Sequence, residues 1–186
     1  MTEADDRICA EAMAFARKQK GAIATRLTDR SIYPSEKNPV AVFMAGSPGA
    51  GKTEASKELL ATLEAKEPRS RILRIDPDDL RGEFSSYAGN NSHLFQGAIS
   101  ILVARILDLA HDQRQSFLLD GTFSNLAIAR ENVVRCLKKK RAVQILYVYQ
   151  DPLQAWRFVQ ARELEDGRNV PVERFIEEHF CSAGRR

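Results

Sequence analysis

The chain has 186 residues, 44% of them apolar and 28% charged, which is the composition of a soluble globular domain with one full hydrophobic core. Its net charge of +3 is too small to favour nucleic-acid binding, and no stretch of the sequence is expected to span a membrane. The acidic N-terminus lacks the apolar segment of a signal peptide, and the three cysteines show no C-x-x-C spacing. We therefore expect a cytoplasmic protein with free thiols.

Residues 1–39 are predicted to form an N-terminal helix followed by a polar linker. Ile8, Ala12, Phe15 and Ala16 recur at the spacing of an amphipathic helix. Such an apolar stripe needs a partner surface, so the helix is expected to dock on the rest of the chain.

Apolar runs alternate with helical patterns along residues 40–186. This alternation predicts an α/β domain, with a parallel sheet covered by helices. The predicted strands are 40–45, 71–75, 116–119 and 143–149, and the predicted helices are 53–65, 97–111, 126–139, 152–165 and 172–181. We expect the strand order 2-3-1-4.

Directly after the first predicted strand, the sequence matches the pattern G-x-x-x-x-G-K-[ST]. The match consists of Gly46, Ser47, Pro48, Gly49, Ala50, Gly51, Lys52 and Thr53. A buried strand before the loop and a helix after it are the context of a phosphate-binding P-loop. In such a loop backbone N–H groups surround the phosphates, Lys52 reaches the β- and γ-phosphates, and the Thr53 hydroxyl ligates Mg²⁺. The sequence therefore predicts a site for ATP with Mg²⁺.

Carboxylates follow the second and third predicted strands, where ligands bind in open α/β sheets. Asp76 is placed to accept a proton from an attacking hydroxyl, or alternatively to cap the helix that Pro77 opens. Asp120 can reach Mg²⁺ or a substrate hydroxyl, or serve as a cap. Nearby, Arg81 is a candidate phosphate ligand and Thr122 supplies a hydroxyl.

Arginines surround a glycine-bearing turn after the fourth predicted strand. Arg157, Arg162 and Arg168 lie on either side of this turn, close to Gly167. A guanidinium stabilises the charge on a phosphoryl group during transfer. Residues 157–171 are therefore predicted to form a lid on a kinase core that spans residues 40–186.

Taken in order, the P-loop, Asp76 with Asp78, the Asp120-Gly121-Thr122 segment and the lid arginines resemble the zeta-toxin family of P-loop kinases over residues 40–180. The resemblance implies the toxin of a toxin–antitoxin pair, with an antitoxin protein as partner. It also implies an enzyme that uses ATP-Mg to phosphorylate the 3′-hydroxyl of the amino sugar in UDP-N-acetylglucosamine.

The same resemblance assigns roles to individual residues. Asp76 falls on the catalytic base and Lys52 on the phosphate-binding lysine. The lid arginines correspond to Arg162 and Arg168, and the substrate contacts to Asp120 and Thr122. The family often has glutamate where this chain has the shorter Asp120.

We expect a small-molecule kinase, a phosphotransferase with an alcohol group as acceptor. Two alternatives stay open: a kinase for another hydroxyl, such as the ribose of NAD or a polynucleotide end, and a nucleotide-binding switch without catalysis. The N-terminal helix likewise has two expected roles. It either packs on the domain as part of the core or docks over the nucleotide site and restrains activity.

Overall fold

A computed structural model describes residues 2–66, 71–121, 123, 125–167 and 170–183. In this part of the chain, a four-stranded parallel sheet with the order β2-β3-β1-β4 is flanked by α-helices. The strands β1 to β4 are Val40–Ala45, Leu73–Ile75, Phe117–Leu119 and Ala142–Tyr147. The helices α1 to α6 are Glu3–Leu27, Lys52–Lys66, Gln96–Asp112, Leu126–Lys138, Pro152–Asp166 and Val172–Ala183. The predicted fold class, strand order and N-terminal helix are confirmed.

Three strands, β2, β3 and β4, are shorter than predicted, and one predicted helix has a different form. β2 is an edge strand that pairs with β3 from Leu73 to Ile75, so its ladder ends after three residues. The segment opened by Pro77 forms a short 3₁₀ helix, Asp79–Glu83, and a second 3₁₀ helix, Ser92–Phe95, precedes α3. Element type was therefore predicted better than element length.

The main hydrophobic core lies between one face of the sheet and the helices α1 and α3. Phe43 and Phe117 project from the strands and meet Leu102 and Ile106 of α3, all of them fully or almost fully buried. Helix α1 packs along α3 and buries the small residues Ala12, Ala16 and Ala24 together with Ile23. Small side chains allow the two helix backbones to approach closely, so α1 belongs to the core.

Helix α3 is the most apolar of the helices that the structure describes. By length and composition the segment Ser92–Asp112 could cross a membrane, which the sequence analysis did not anticipate. In the fold, however, Ala98, Leu102, Ile106 and Ala110 are buried against α1 and the sheet. The composition of α3 is thus that of a core helix in a soluble domain.

The opposite face of the sheet is covered by α2, where Val42, Met44 and Leu118 form a second, smaller cluster. Helices α5 and α6 form a third cluster around Ala155, Val159 and Phe175. Successive residues of a strand point to opposite faces, so Leu73 and Ile75 of β2 enter the main core while the residue between them faces α2. That residue is Arg74.

Candidate active site

The glycine loop between β1 and α2 is held in place by close backbone contacts. Gly46 has φ +144°, and a Cβ at this position would lie 2.4 Å from the carbonyl oxygen of Val148. At Gly49, with φ +73°, a Cβ would lie 2.2 Å from the carbonyl oxygen of Ala155. Neither position has room for a side chain, so both glycines are required by the way the loop packs against the residues after β4 and against α5.

Lys52 and Thr53 open helix α2 at the end of this loop. The Lys52 ammonium donates hydrogen bonds to the carbonyl oxygens of Gly46 at 3.0 Å and Ser47 at 2.7 Å. The Thr53 side chain lies in the first turn of a 15-residue helix. A helix that follows a glycine-rich loop and opens with a lysine is an arrangement that binds phosphate.

The register of the sheet brings the two predicted carboxylates together. Ile75 of β2 pairs with Leu119 of β3, so the next residues, Asp76 and Asp120, lie side by side at the carboxyl edge. The backbone N–H of Asp120 donates to the Ile75 carbonyl at 2.9 Å. Both aspartate side chains are largely buried, at 8% and 4% exposure.

A buried arginine joins these carboxylates. Nη2 of Arg74 lies 2.7 Å from Oδ2 of Asp120 and also contacts Oδ2 of Asp76. Its Nη1 lies 2.9 Å from the exposed Asp79 carboxylate, and its Nε donates to the Ser56 hydroxyl at 3.3 Å. Ser56 in turn donates to Asp120 at 2.7 Å. The ends of β2 and β3 and the N-terminal part of α2 are thus linked in one hydrogen-bonded network.

The electrostatics of this network follow from burial and charge. Burial raises the pKa of the Asp76 carboxyl, while the hydrogen bond from the Asp78 N–H, at 2.8 Å, favours its ionised form. Burial by itself would lower the pKa of the Arg74 guanidinium, but its hydrogen bond to Asp120 and the charges of Asp76 and Asp120 raise that pKa. Arg74 therefore stays protonated and offsets the two carboxylates.

Three further arginines predicted for the site differ in burial. Arg81 is buried and pairs with Asp78 at 2.8 Å, and its Nε has no hydrogen-bond partner in the described part of the chain. Arg162 and Arg157 lie on the exposed surface of α5. Thr122 and Arg168 lie outside the described residues.

The N-terminal half of the predicted lid is anchored on the P-loop. Ala155 and Val159 of α5 contact the loop at Gly49, and Arg162 follows three residues later on the same helix. Asp151 caps α5 by accepting hydrogen bonds from the N–H groups of Leu153 and Gln154, at 3.0 and 3.1 Å. Helix α5, which carries the first part of the predicted lid, therefore begins at the glycine loop.

Two members of the network, Arg74 and Ser56, had no role in the sequence analysis. A signal for Arg74 was present in the sequence: a charged residue in the middle of a predicted buried strand, two positions before Asp76 and therefore on the same face. Ser56 gave no such signal, because a serine in the N-terminal part of a helix is ordinary.

The residues present fit a magnesium ion held jointly with a nucleotide. Among residues 2–66, 71–121, 123, 125–167 and 170–183, no group of three or more His, Cys, Asp or Glu could hold a metal on its own. Mg²⁺ prefers oxygen ligands and is usually bound by one or two protein groups plus substrate phosphates. Thr53, in the first turn of α2, and Asp120, which is hydrogen-bonded to Ser56 of the same helix, are the candidate groups.

Comparisons with known proteins agree with this fold. Among solved structures, the chain is similar to one from the PezAT chromosomal toxin–antitoxin system of the human pathogen Streptococcus pneumoniae, with a TM-score of 0.68 and 18% identity over 97% of this chain and 70% of that chain. It is also similar to a chain of the Pnkp1/Rnl/Hen1 RNA repair complex, with a TM-score of 0.60 and 16% identity over 81% of this chain and 46% of that one. Identities this low show likeness of fold alone.

Among curated proteins no relative is found. The family model of the zeta toxins, however, matches residues 23–183. This match includes the glycine loop, both strand-end carboxylates and helix α5, and it covers most of the chain. The chain therefore belongs to the zeta toxin family.

Proposed function

We propose that the chain is an ATP-Mg-dependent kinase that phosphorylates a sugar hydroxyl of a UDP-sugar, with UDP-N-acetylglucosamine as the favoured acceptor. The observation that carries this proposal is the pair of buried carboxylates, Asp76 and Asp120, at the strand ends next to a P-loop. Zeta toxins are kinase-like phosphotransferases, which supports phosphoryl transfer. The choice of a UDP-sugar as acceptor is inferred from the resemblance of the sequence motifs to those of zeta toxins.

In this mechanism Asp76 takes the proton of the acceptor hydroxyl. The acceptor oxygen forms a bond to the γ-phosphorus, the bond from that phosphorus to the β–γ bridging oxygen breaks, and ADP leaves. Lys52, Arg162 and Arg168 offset the negative charge of the phosphates during transfer. Bound Mg²⁺, which Thr53 and Asp120 would hold, supplies further charge neutralisation. Arg81, Asp120 and Thr122 are proposed to contact the acceptor.

A direct test is to incubate the protein with ATP, Mg²⁺ and UDP-N-acetylglucosamine and to search for a phosphorylated product by mass spectrometry. We expect the wild type to form this product and Lys52→Ala to form none. Lys57→Ala is a matched control, because Lys57 is an exposed lysine on the same helix. Equal product from Lys52→Ala and the wild type would exclude the P-loop as the phosphate site.

The same assay separates the alternatives when the acceptor is changed. An RNA with a 5′-hydroxyl end is the second candidate, because the fold is also similar to a chain of an RNA repair complex. Phosphorylation of RNA or NAD but not of UDP-sugars would support the kinase activity but with a different acceptor. Nucleotide binding without transfer to any acceptor would indicate the non-catalytic switch.

The role of the lid arginines is tested by comparing the effect of each substitution on kcat with its effect on KM. Arg162→Ala should lower kcat by about 10²–10³-fold, because charges that act on the transferring phosphoryl group matter most in the transition state. Arg157→Ala, an exposed arginine on the same helix, should have little effect. The reverse pattern would assign the lid role to Arg157.

We further propose that this kinase acts in the cytoplasm as a toxin restrained by an antitoxin protein. Support comes from family membership and from the likeness to a chain of the PezAT toxin–antitoxin system. Expression of the active chain alone in bacteria should arrest growth with accumulation of a phosphorylated UDP-sugar, and Asp76→Asn should prevent both effects. Growth arrest that persists in Asp76→Asn would argue against toxicity through phosphoryl transfer.

A further inference from the structure

Arg74 occupies a strand position where an apolar residue is expected. Its neighbours in β2, Leu73 and Ile75, are buried in the main core, at 2% and 3% exposure. The Arg74 side chain points to the other face, beneath α2, and is only 17% exposed. A charge on a covered face of a parallel sheet costs free energy unless it is paired. The contacts of this arginine therefore indicate what it does.

The Arg74 guanidinium contacts both strand ends at once. Its Nη2 lies between Asp76 of β2 and Asp120 of β3, 2.7 Å from the Asp120 oxygen. Its Nε reaches Ser56 of α2, whose hydroxyl also binds Asp120. A planar guanidinium with several fixed donors can hold such a set, whereas the single ammonium of a lysine cannot match this geometry.

These contacts determine how the Asp76 carboxylate is oriented. One oxygen, Oδ2, accepts from Arg74, and the other, Oδ1, accepts from the Asp78 backbone N–H at 2.8 Å. Hydrogen bonds to both oxygens fix the plane of the carboxylate, and each oxygen keeps a further lone pair for another donor. Without the guanidinium, Asp76 and Asp120 would be two neighbouring buried anions that repel each other.

We propose that Arg74 is a positioning residue for phosphoryl transfer. It holds the base Asp76 and its neighbour Asp120 in one fixed arrangement at the carboxyl edge of the sheet. This inference rests on the proposed function, since it assumes that Asp76 accepts the proton of the acceptor. In this proposal Arg74 acts through Asp76 and Asp120 and not by contact with the acceptor or the nucleotide.

The test compares three variants of the full chain by steady-state kinetics. Arg74→Ala should lower kcat by about 10²-fold, the usual cost of a misplaced reacting group, with KM for ATP nearly unchanged because the P-loop is intact. Arg74→Lys should be intermediate, since it keeps the charge without the planar donors. Arg71→Ala is the matched control: Arg71 is an exposed arginine just before β2, with a side-chain exposure of 61%, and its loss should not change kcat.

Chemical rescue distinguishes positioning from general stabilisation. Guanidinium ions at sub-denaturing concentration should restore part of the kcat of Arg74→Ala and none of that of Asp76→Asn. A folded Arg74→Ala with wild-type kcat, or a reduced kcat that guanidinium fails to raise, would overturn the positioning role.

A stability measurement covers the case in which Arg74→Ala is too unstable for kinetics. Arg74→Met should lower the urea midpoint of unfolding, and adding Asp120→Asn should recover part of the loss, because one of the two adjacent charges is then gone. Additive losses would show that the residues are uncoupled and would overturn the inference. If the wild type phosphorylates no acceptor while this coupling is present, the proposed function fails and the positioning role fails with it.

Discussion

Asp76 combines two properties that a general base requires. Its burial raises its pKa, which strengthens it as a proton acceptor, while the Arg74 guanidinium and the Asp78 N–H keep its ionised form available. Asp76→Asn has the same shape but cannot take up a proton. We expect kcat to fall by about 10²–10⁴-fold while nucleotide binding is retained.

The control for this substitution is Asp79→Asn. Asp79 also binds Arg74, but its side chain is 73% exposed, so its loss should leave kcat almost unchanged. Transfer rates and binding of a fluorescent nucleotide can be measured on both variants. A wild-type rate in Asp76→Asn together with lower stability would mean that the aspartate serves the turn before the 3₁₀ helix rather than the reaction.

His111 gives the molecule a pH-dependent contribution to stability far from the glycine loop. It is buried at the end of α3, with its ring against Phe117 and its Nε2 3.9 Å from the Cys136 sulfur. Burial, together with the positive charge of Arg141, lowers the pKa of His111 from 6.5 to about 4. The folded state therefore favours the neutral ring, and protonation favours unfolding.

This contribution should be fully present above pH 6.5 and lost as the pH falls toward 4, because the unfolded chain binds the proton more readily in that range. The free energy of unfolding of His111→Leu should depend less on pH across this range than that of the wild type. His93→Leu, an exposed control, should follow the wild type. Identical pH profiles for all three proteins would contradict the assignment to His111.

At the scale of elements, the position of α5 depends on the backbone of the glycine loop. Gly49 and Gly51 both have positive φ, +73° and +85°, so alanine at either position should cost about 1–2 kcal/mol in backbone conformation alone. At Gly49 the new Cβ would also collide with the Ala155 carbonyl of α5, whereas at Gly51 its nearest neighbour would be a Glu54 oxygen at 3.9 Å.

Gly49→Ala should therefore destabilise the protein more than Gly51→Ala, and it should displace α5. Urea unfolding measures the first effect. Fluorescence of Trp156, which lies in the α5–α6 cluster against Phe175, reports the second. Equal destabilisation by the two substitutions, with unchanged fluorescence, would show that α5 does not rest on the loop.

Most elements could be predicted because each carries a local signal. β1 and the start of α4 match their predicted bounds, since an apolar run and a helical period determine them. The lengths of β2 and β3 could not be predicted in this way, because they depend on where the ladder between the two strands ends. Asp76 and Asp120 were placed at the site because strand ends can be found in a sequence. The Arg74 network depends on the register between β2 and β3 and on α2, which become known only once the chain is folded.

At the scale of the whole molecule, the position of α1 bears on whether it restrains the kinase or supports it. Its buried residues join the main core, and it packs along α3 and the 3₁₀ helix before it. The carbonyls of Thr28 and Tyr33, which follow α1, also accept hydrogen bonds from the buried Gln115 amide at 2.9 and 2.7 Å. Two roles were predicted for α1 from the sequence, and these contacts favour the role as part of the core.

A pair of substitutions in α1 tests this role in the full chain. Ala16 is fully buried against the core, whereas Ala14 lies on the exposed side of the same helix. Ala16→Asp places an unpaired carboxylate in the core and should reduce the free energy of unfolding by several kcal/mol, with loss of soluble active protein. Ala14→Asp introduces the same charge and the same change in helix propensity as Ala16→Asp. It should change the free energy of unfolding by less than about 1 kcal/mol.

The hypothesis that α1 restrains the kinase predicts the opposite outcome. If α1 acted as a lid over the nucleotide site, loosening it with Ala16→Asp would leave a stable core and raise the rate of transfer above that of the wild type. Because α1 packs along the core helix α3, we expect the substitution to expose apolar surface of α3 instead. Binding of a hydrophobic dye, measured alongside the kinase rate, then separates a destabilised core from a released enzyme.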